Sequence, residues 1–377
     1  MDLLDLRKRI DEIDSKITPL LIERMGISKE VAEYKVKNGM PVLNEKREKE
    51  ILDNVRAKCG EQGEAIATVF AATMDASREL QHRIIGGGDS LRQAVNAAIT
   101  KEKISKSASV IACAGVSAGN TDQAAKIQFP ESEIKYYKQF EDVFEAVNKG
   151  EAPFGVIPIE NSTAGSVHEA YDLMMRYKFY VVGAYSLDID HCLCANSSAK
   201  YENIEEVYSH PQALAQCSKF IKDFGFTGVN YSNTAAAAKY IAESGRKDIA
   251  AICPKEAAKQ YGLKVLKTDI QNVSNNKTRF IVISKKLIIE DKADKISLIF
   301  SVAHTTGSLY RVLGRFSMAG LNLTKLESRP IGNGDFDYYF YTDFLGNLKD
   351  EKTMNLLCAL SSELPNFKFL GNYHEYN

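Results

Sequence analysis

Between Leu3 and about Ile85 the apolar residues recur at helical spacing, and no stretch there alternates as a strand would. Two breaks interrupt the pattern, Met40-Pro41 and the run Cys59 to Gly63, so the segment predicts one long helix and two shorter ones. Gly86-Gly87-Gly88 ends it, and a polar, helix-like linker follows from Leu91 to Lys106. From Ser109 the period changes. Short β-rich runs, among them Val110-Ile111-Ala112-Cys113, Phe154-Gly155-Val156-Ile157, Ile249-Ala250-Ala251-Ile252 and Phe280-Ile281-Val282-Ile283, alternate with helical segments as in an α/β domain. After Asp294 the order becomes strand, helix, two strands, helix, strand, a βαββαβ ferredoxin-like unit. A chain of 377 residues is in any case too long for one core. The expected division is an all-α domain over 1–86, a linker over 87–107, an α/β domain over 108–287 and a ferredoxin-like domain over 295–377.

Formal net charge is -1, and no long Lys/Arg block occurs, which excludes the electrostatic footprint of a nucleic-acid binder. The start Met1-Asp2-Leu3-Leu4-Asp5-Leu6-Arg7 lacks the basic and apolar regions of a signal peptide, and no apolar run is long enough to span a bilayer. A cytoplasmic protein with small-molecule partners and copies of itself is expected. Seven scattered cysteines read as reduced core thiols. Cys192 and Cys194 share one face of a strand, but no second Cys/His pair stands at metal-ligand spacing, so no metal is expected there. No organic cofactor is expected either.

Charge enters the helical segment in the wrong place for a simple bundle. Arg24 lies amid Ile17, Leu20, Leu21, Ile27 and Val31, and Lys35 follows about 20° further round the same face. Two cations on a face that ought to be core are costly unless an anion pairs with them. Arg47 and Glu48 intrude near Leu43 and Ile51 on the second helix. Ser77 and Gln81 stand four apart on the third, so all three helices offer polar groups to one pocket for a small dianion carrying a hydroxyl.

On Arg7, Arg24, Lys35, Arg47, Glu48, Ser77 and Gln81, with the run Pro41 to Glu48, residues 1 to about 86 resemble the all-helical chorismate mutases of the intertwined-dimer type. The resemblance implies a [3,3] rearrangement of chorismate to prephenate that needs only a folded substrate and stabilised charge in the breaking ether. It implies Arg24 and a partner's Arg7 on the two carboxylates, Lys35 and Gln81 on the ether oxygen, Glu48 on the ring hydroxyl, and Arg47, Ser77 and Asn44 completing the site. Arg7 and Lys35 are 28 residues apart on one helix, about 42 Å, so one pocket cannot use both from one chain. Asn44 replaces the family's usual Asp. Pro19 predicts a bend near Lys16 to Thr18.

In the α/β segment, Pro158-Ile159-Glu160-Asn161-Ser162-Thr163-Ala164-Gly165-Ser166-Val167 follows a strand with more hydroxyl and amide groups than a helix cap needs. Ser209-His210-Pro211-Gln212 and Asn233-Thr234 each open a helix. Asn276-Lys277-Thr278-Arg279-Phe280 enters a strand that turns Thr278 and Arg279 to opposite faces. Together with Asp190-His191-Cys192, these runs resemble prephenate dehydratase over roughly residues 109 to 286. The resemblance implies a two-lobed fold like that of periplasmic binding proteins, Thr278 as proton donor to the departing hydroxyl, and Asn161, Ser162, Thr163, His210, Gln212, Thr234 and Arg279 shaping the site. The first loop departs from the family: Gly115 to Asp122 keeps a hydroxyl at Thr121 but lacks the usual aromatic.

Residues 295–377 resemble an ACT domain. Glu327-Ser328-Arg329-Pro330 matches its phenylalanine-binding segment, and Gly307-Ser308-Leu309 its other half. L-Phenylalanine is the implied effector, chorismate and prephenate the substrates, and a homodimer or higher homo-oligomer the assembly. Two other readings compete with a bifunctional enzyme of phenylalanine biosynthesis. One is a monofunctional dehydratase with an inactive mutase-like dimerisation domain; the other is a non-enzymatic small-molecule binding protein.

Overall fold

The computed structural model describes residues 2–86, 89–101, 104, 108–331 and 337–376. They form two compact units, Met1–Ala97 with Lys295–Phe369, and Ala98–Asp294 with Leu370–Asn377.

The first unit begins with the expected three helices, Leu3–Asn38, Glu45–Cys59 and Gly63–Ile85. Asp2 caps the first, which runs through Pro19 and ends at Gly39 with φ 62°. Asn44 caps the second, its Oδ1 accepting from the Arg47 amide at 3.1 Å. Gly63 opens the third against the second: a Cβ there would lie 2.8 Å from the Arg56 carbonyl oxygen. The apolar stripe of the first helix is not core within the chain. Ile17, Leu20, Leu21, Ile27 and Val31 remain 38–64% exposed, and only Ser28 and Ala32 of that helix are buried.

The C-terminal part of this unit has the predicted βαββαβ order. Its sheet runs Leu323–Pro330, Tyr338–Leu345, Lys295–Ser301 and then the strand that begins at Lys368. The helices Ser308–Met318 and Glu351–Glu363 both pack on the third helix of the bundle. The helical and ferredoxin-like segments, expected as separate domains, therefore share one unit.

In the second unit a seven-stranded sheet and a five-stranded sheet form two lobes. The larger is built around Val110–Ala114, Phe154–Asn161, Lys277–Ser284 and Tyr180–Asp188. The smaller is built around Ile249–Cys253, flanked by Cys192–Ala195 and Glu206–Ser209. Strand Phe154–Asn161 extends beyond the apolar run that announced it, carrying Pro158 inside. The register against Lys277–Ser284 shifts between Arg279 and Phe280, beside Pro158, and a bulge is where a strand tolerates proline.

Two expected boundaries change. The last eight residues, predicted as part of the ferredoxin-like segment, belong to the second unit because Glu375–Tyr376 pairs in parallel with Ala184 and Tyr185. The predicted linker contains the helix Asp89–Ala98 and the strand Ile99–Thr100, which pairs with Ile289–Glu290. Gly87, Gly88, Glu102, Lys103 and Ser105 to Ser107 of that stretch lie outside the described residues. Among the described residues no helix is long and apolar enough to cross a membrane.

Candidate active sites

A cavity of about 490 Å³ opens in the α/β unit. Five helices begin at it: Asn120–Gln128, Phe140–Lys149, His168–Arg176, Pro211–Gln216 and Thr234–Ser244 each place a cap or first-turn residue in its wall. That follows from strand direction, since Val110–Ala114, Glu206–Ser209 and Thr227–Asn230 deliver their carboxyl ends there. No Asp, Glu, Lys or Arg lines the cavity among the described residues. What the walls offer an anion is helix N-termini and hydroxyls.

Thr278 and Asn161 are cross-strand partners, and the Asn161 Nδ2 donates to Thr278 Oγ1 at 2.8 Å. The amide cannot be turned round, because Asn161 Oδ1 accepts from the Thr163 amide at 3.1 Å, the Thr163 hydroxyl at 2.7 Å and the Ala164 amide at 2.9 Å. With a donor on its oxygen, Thr278 directs its own O–H elsewhere, and negative charge developing on that oxygen is stabilised.

His210 caps helix Pro211–Gln216, its Nδ1 accepting from the Gln212 amide at 3.2 Å, and burial lowers its pKa. Gln212 and Thr234 line the cavity. Three expected residues do not. Ser162 is taken up in joining strands, accepting from the Lys277 amide at 2.9 Å, and Thr163 supports Asn161. Arg279 points to the opposite face, as alternation requires, and meets Glu160 at 3.6 Å and Glu375 at 3.9 Å.

The cavity also contains residues that sequence reading left without a role. Gln216 donates to Thr163 Oγ1 at 2.7 Å and bonds His191 Nε2 at 2.9 Å, so the smaller lobe's helix is tied to the larger lobe's loop. Its position four residues after Gln212 put it on the same helical face. Burial pushes the His191 pKa down, with the Gln216 bond opposing. Phe140 supplies an aromatic wall from a helix outside the first loop. That loop is held by Asp122, which is buried, accepts from the Ala118 amide at 2.7 Å and from the Tyr136 hydroxyl at 2.8 Å.

In the first unit the three helices bring together Arg24, Lys35, Glu48, Ser77 and Gln81. Arg24 Nη1 donates to Ser77 Oγ at 2.7 Å, and Lys35 Nζ to Gln81 Oε1 at 3.0 Å and to the Val42 carbonyl. Gln81 therefore presents its NH₂ as a donor. Burial pushes the Lys35 ammonium below the usual lysine range, with Glu48 pulling it up and Arg78 pushing it further down. Arg47 is not brought in: it stands at the surface, 3.4 Å from Glu50. Asn44 serves as a helix cap, and Arg7 is exposed far along the first helix. Asp75, Arg78 and Arg311, unforeseen from sequence, adjoin Glu48.

A second cavity, about 640 Å³, is lined by residues 302–310 with Asp337, Tyr338 and Phe340. Gly307, Ser308 and Leu309 belong to it, Gly307 with φ 81°. Glu327, Ser328, Arg329 and Pro330 do not; they lie on the edge strand, opposite residues 338–341 of its neighbour.

Comparison with known proteins adds to this geometry. A family model described as prephenate dehydratase matches residues 111–287, and one described as chorismate mutase type II matches residues 6–82. The chain is 32% identical over 381 residues to a bifunctional chorismate mutase/prephenate dehydratase of Enterobacter agglomerans, covering 100% of this chain and 96% of the relative. It is 39% identical over 279 residues to arogenate dehydratase 2 of Petunia hybrida, covering 70% and 71% respectively. Among solved structures, prephenate dehydratase of Arthrobacter aurescens in complex with L-Phe matches 70% of this chain and 89% of its own, with TM-score 0.65 and 27% identity.

Proposed function

Because the chain belongs to the family of bifunctional chorismate mutase/prephenate dehydratases, we propose that it converts chorismate to prephenate in the helical pocket and prephenate to phenylpyruvate, carbon dioxide and water in the α/β cavity. The observation that carries this reading is that one chain assembles both constellations, Lys35 on Gln81 and Thr278 on Asn161. In the first, Lys35 and Gln81 donate to the ether oxygen, Arg24 takes a carboxylate and Glu48 the ring hydroxyl. In the second, the Thr278 hydroxyl protonates the departing ring hydroxyl as the carboxylate leaves as carbon dioxide, and Asn161 stabilises the oxygen left behind. The uncharged walls and helix N-termini suit a dianion whose net charge falls during the reaction.

The exposed stripe on the first helix fits an intertwined homodimer in which a partner supplies Arg7. The βαββαβ segment fits an ACT domain. L-Phenylalanine, bound in the Arthrobacter aurescens relative, is the proposed effector. Only one of its two sequence segments lines the cavity of a single chain, which supports a site completed between C-terminal segments of two copies.

Purified full-length protein given chorismate should accumulate prephenate and then phenylpyruvate, and phenylalanine should slow the second step. Failure at chorismate leaves a monofunctional dehydratase, and failure at both leaves a binding protein. The similarity to an arogenate dehydratase adds one arm: arogenate supplied in parallel, with its turnover compared directly with that of prephenate.

A further inference from the structure

We propose that Arg311, carried by the C-terminal segment, is a positioning residue for the mutase site. It acts by holding the Glu48 carboxylate toward the ring hydroxyl, and it rests on the mutase reading above. Arg311 lies 263 residues from Glu48 in sequence, yet its Nη2 stands 3.0 Å from Glu48 Oε2 and 2.8 Å from Asp75 Oδ1. Arg78 grips the same two carboxylates, at 3.1 Å from Glu48 Oε1 and in direct contact with Asp75. Two guanidiniums and two carboxylates thus alternate, and both Glu48 oxygens are held.

Glu48 needs that hold. It sits in the first turn of a helix with no buried residue, where a glutamate otherwise samples several rotamers. A carboxylate offers about four acceptor positions, so a substrate hydroxyl still finds one open. Docking of the C-terminal segment does not itself require Arg311. Arg315 meets Glu363 at 2.8 Å, and Glu363 also contacts His82, so helix Ser308–Met318 is already fixed to the third helix. Arg311 lies one turn nearer its N-terminus and ends on Glu48.

The test uses the full chain with Arg311→Ala, Arg311→Lys, Glu48→Gln and the Arg311→Ala-Glu48→Gln pair, assaying both activities. Arg311→Ala should lower mutase kcat about tenfold or more with a smaller change in KM, and Arg311→Lys should recover part of it. Dehydration of supplied prephenate should be unchanged. In the Glu48→Gln background, removing Arg311 should cost no more than about twofold, because the group it positions is gone. Equal loss of both activities, or a full further loss in that background, would overturn the role. A wild-type chain that leaves chorismate unchanged would overturn the mutase reading, and this role with it.

Discussion

On the proposed reading, the two candidate sites meet the same class of substrate, a cyclic dianion, with opposite materials. The helical pocket is made of ions: Arg24, Lys35 and Glu48, backed by Asp75, Arg78 and Arg311. The α/β cavity has no ionised side chain among its described lining residues and works with hydroxyls, amides and helix ends. The chemistry accounts for the contrast. A rearrangement that moves no proton gains from fixed charge at a polarising ether. An elimination that expels carboxylate as neutral gas would be opposed by a cation holding that carboxylate, whereas a neutral donor aimed at the leaving hydroxyl assists it.

The contrast is most directly broken at Lys35. Lys35→Ala should lower mutase turnover by about a hundred- to thousandfold, the usual cost of one strong donor to a developing negative charge, while prephenate dehydration continues. Near-normal mutase activity would end the assignment.

Stability separates the ionic site next. Glu363 loses solvation on burial, which raises its pKa, but His82, Arg315 and Arg78 overcome this and bring it to about 2. A carboxyl depressed from 4.5 to about 2 contributes stability above the unfolded value and loses it as pH falls. Glu363→Gln should therefore cost about 3 kcal/mol at pH 7, with wild type and variant converging between about pH 4.5 and 2. Denaturant melts across that range would show it, and a pH-independent difference would point to packing instead.

At the neutral site, Thr278→Val should reduce phenylpyruvate formation about a hundredfold with prephenate still bound and the mutase intact. A variant that dehydrates normally would move the proton donor elsewhere. The smallest expected effect is of salt. Raising ionic strength from about 0.05 to 0.5 M should raise KM for chorismate about threefold or more and KM for prephenate less, because bare charges are screened more than buried dipoles. Equal responses would remove the distinction.

Local pattern made much of this legible. The three helices, the apolar strands and the βαββαβ order are carried by periodicity, and Thr278 opposite Arg279 by strand alternation. Edge strands such as Thr227–Asn230 were not, because a mostly exposed strand of four residues leaves no apolar run. That Arg24, Lys35, Ser77 and Gln81 turn toward one pocket followed from helix faces; the pairs Lys35 with Gln81 and Arg24 with Ser77 did not. Arg311 on Glu48 did not, since nothing local ties residues 263 apart. Gln216 was within reach of the i, i+4 rule, whereas the anchoring of Asp122 by Tyr136 depends on tertiary packing.

The discontinuity of the first unit has a consequence for synthesis. Roughly 200 residues of the other unit separate Ala97 from Lys295, and at 5–20 residues per second the ribosome takes roughly 10 to 40 s to make them. Throughout that interval Arg78 and His82, buried in the finished protein, have no Glu363 to meet, and by its end the α/β unit lacks only its last eight residues. The N-terminal helices thus emerge first and finish late, so a nascent chain arrested just after Asp294 has left the ribosome should carry a compact middle and an incompletely buried beginning.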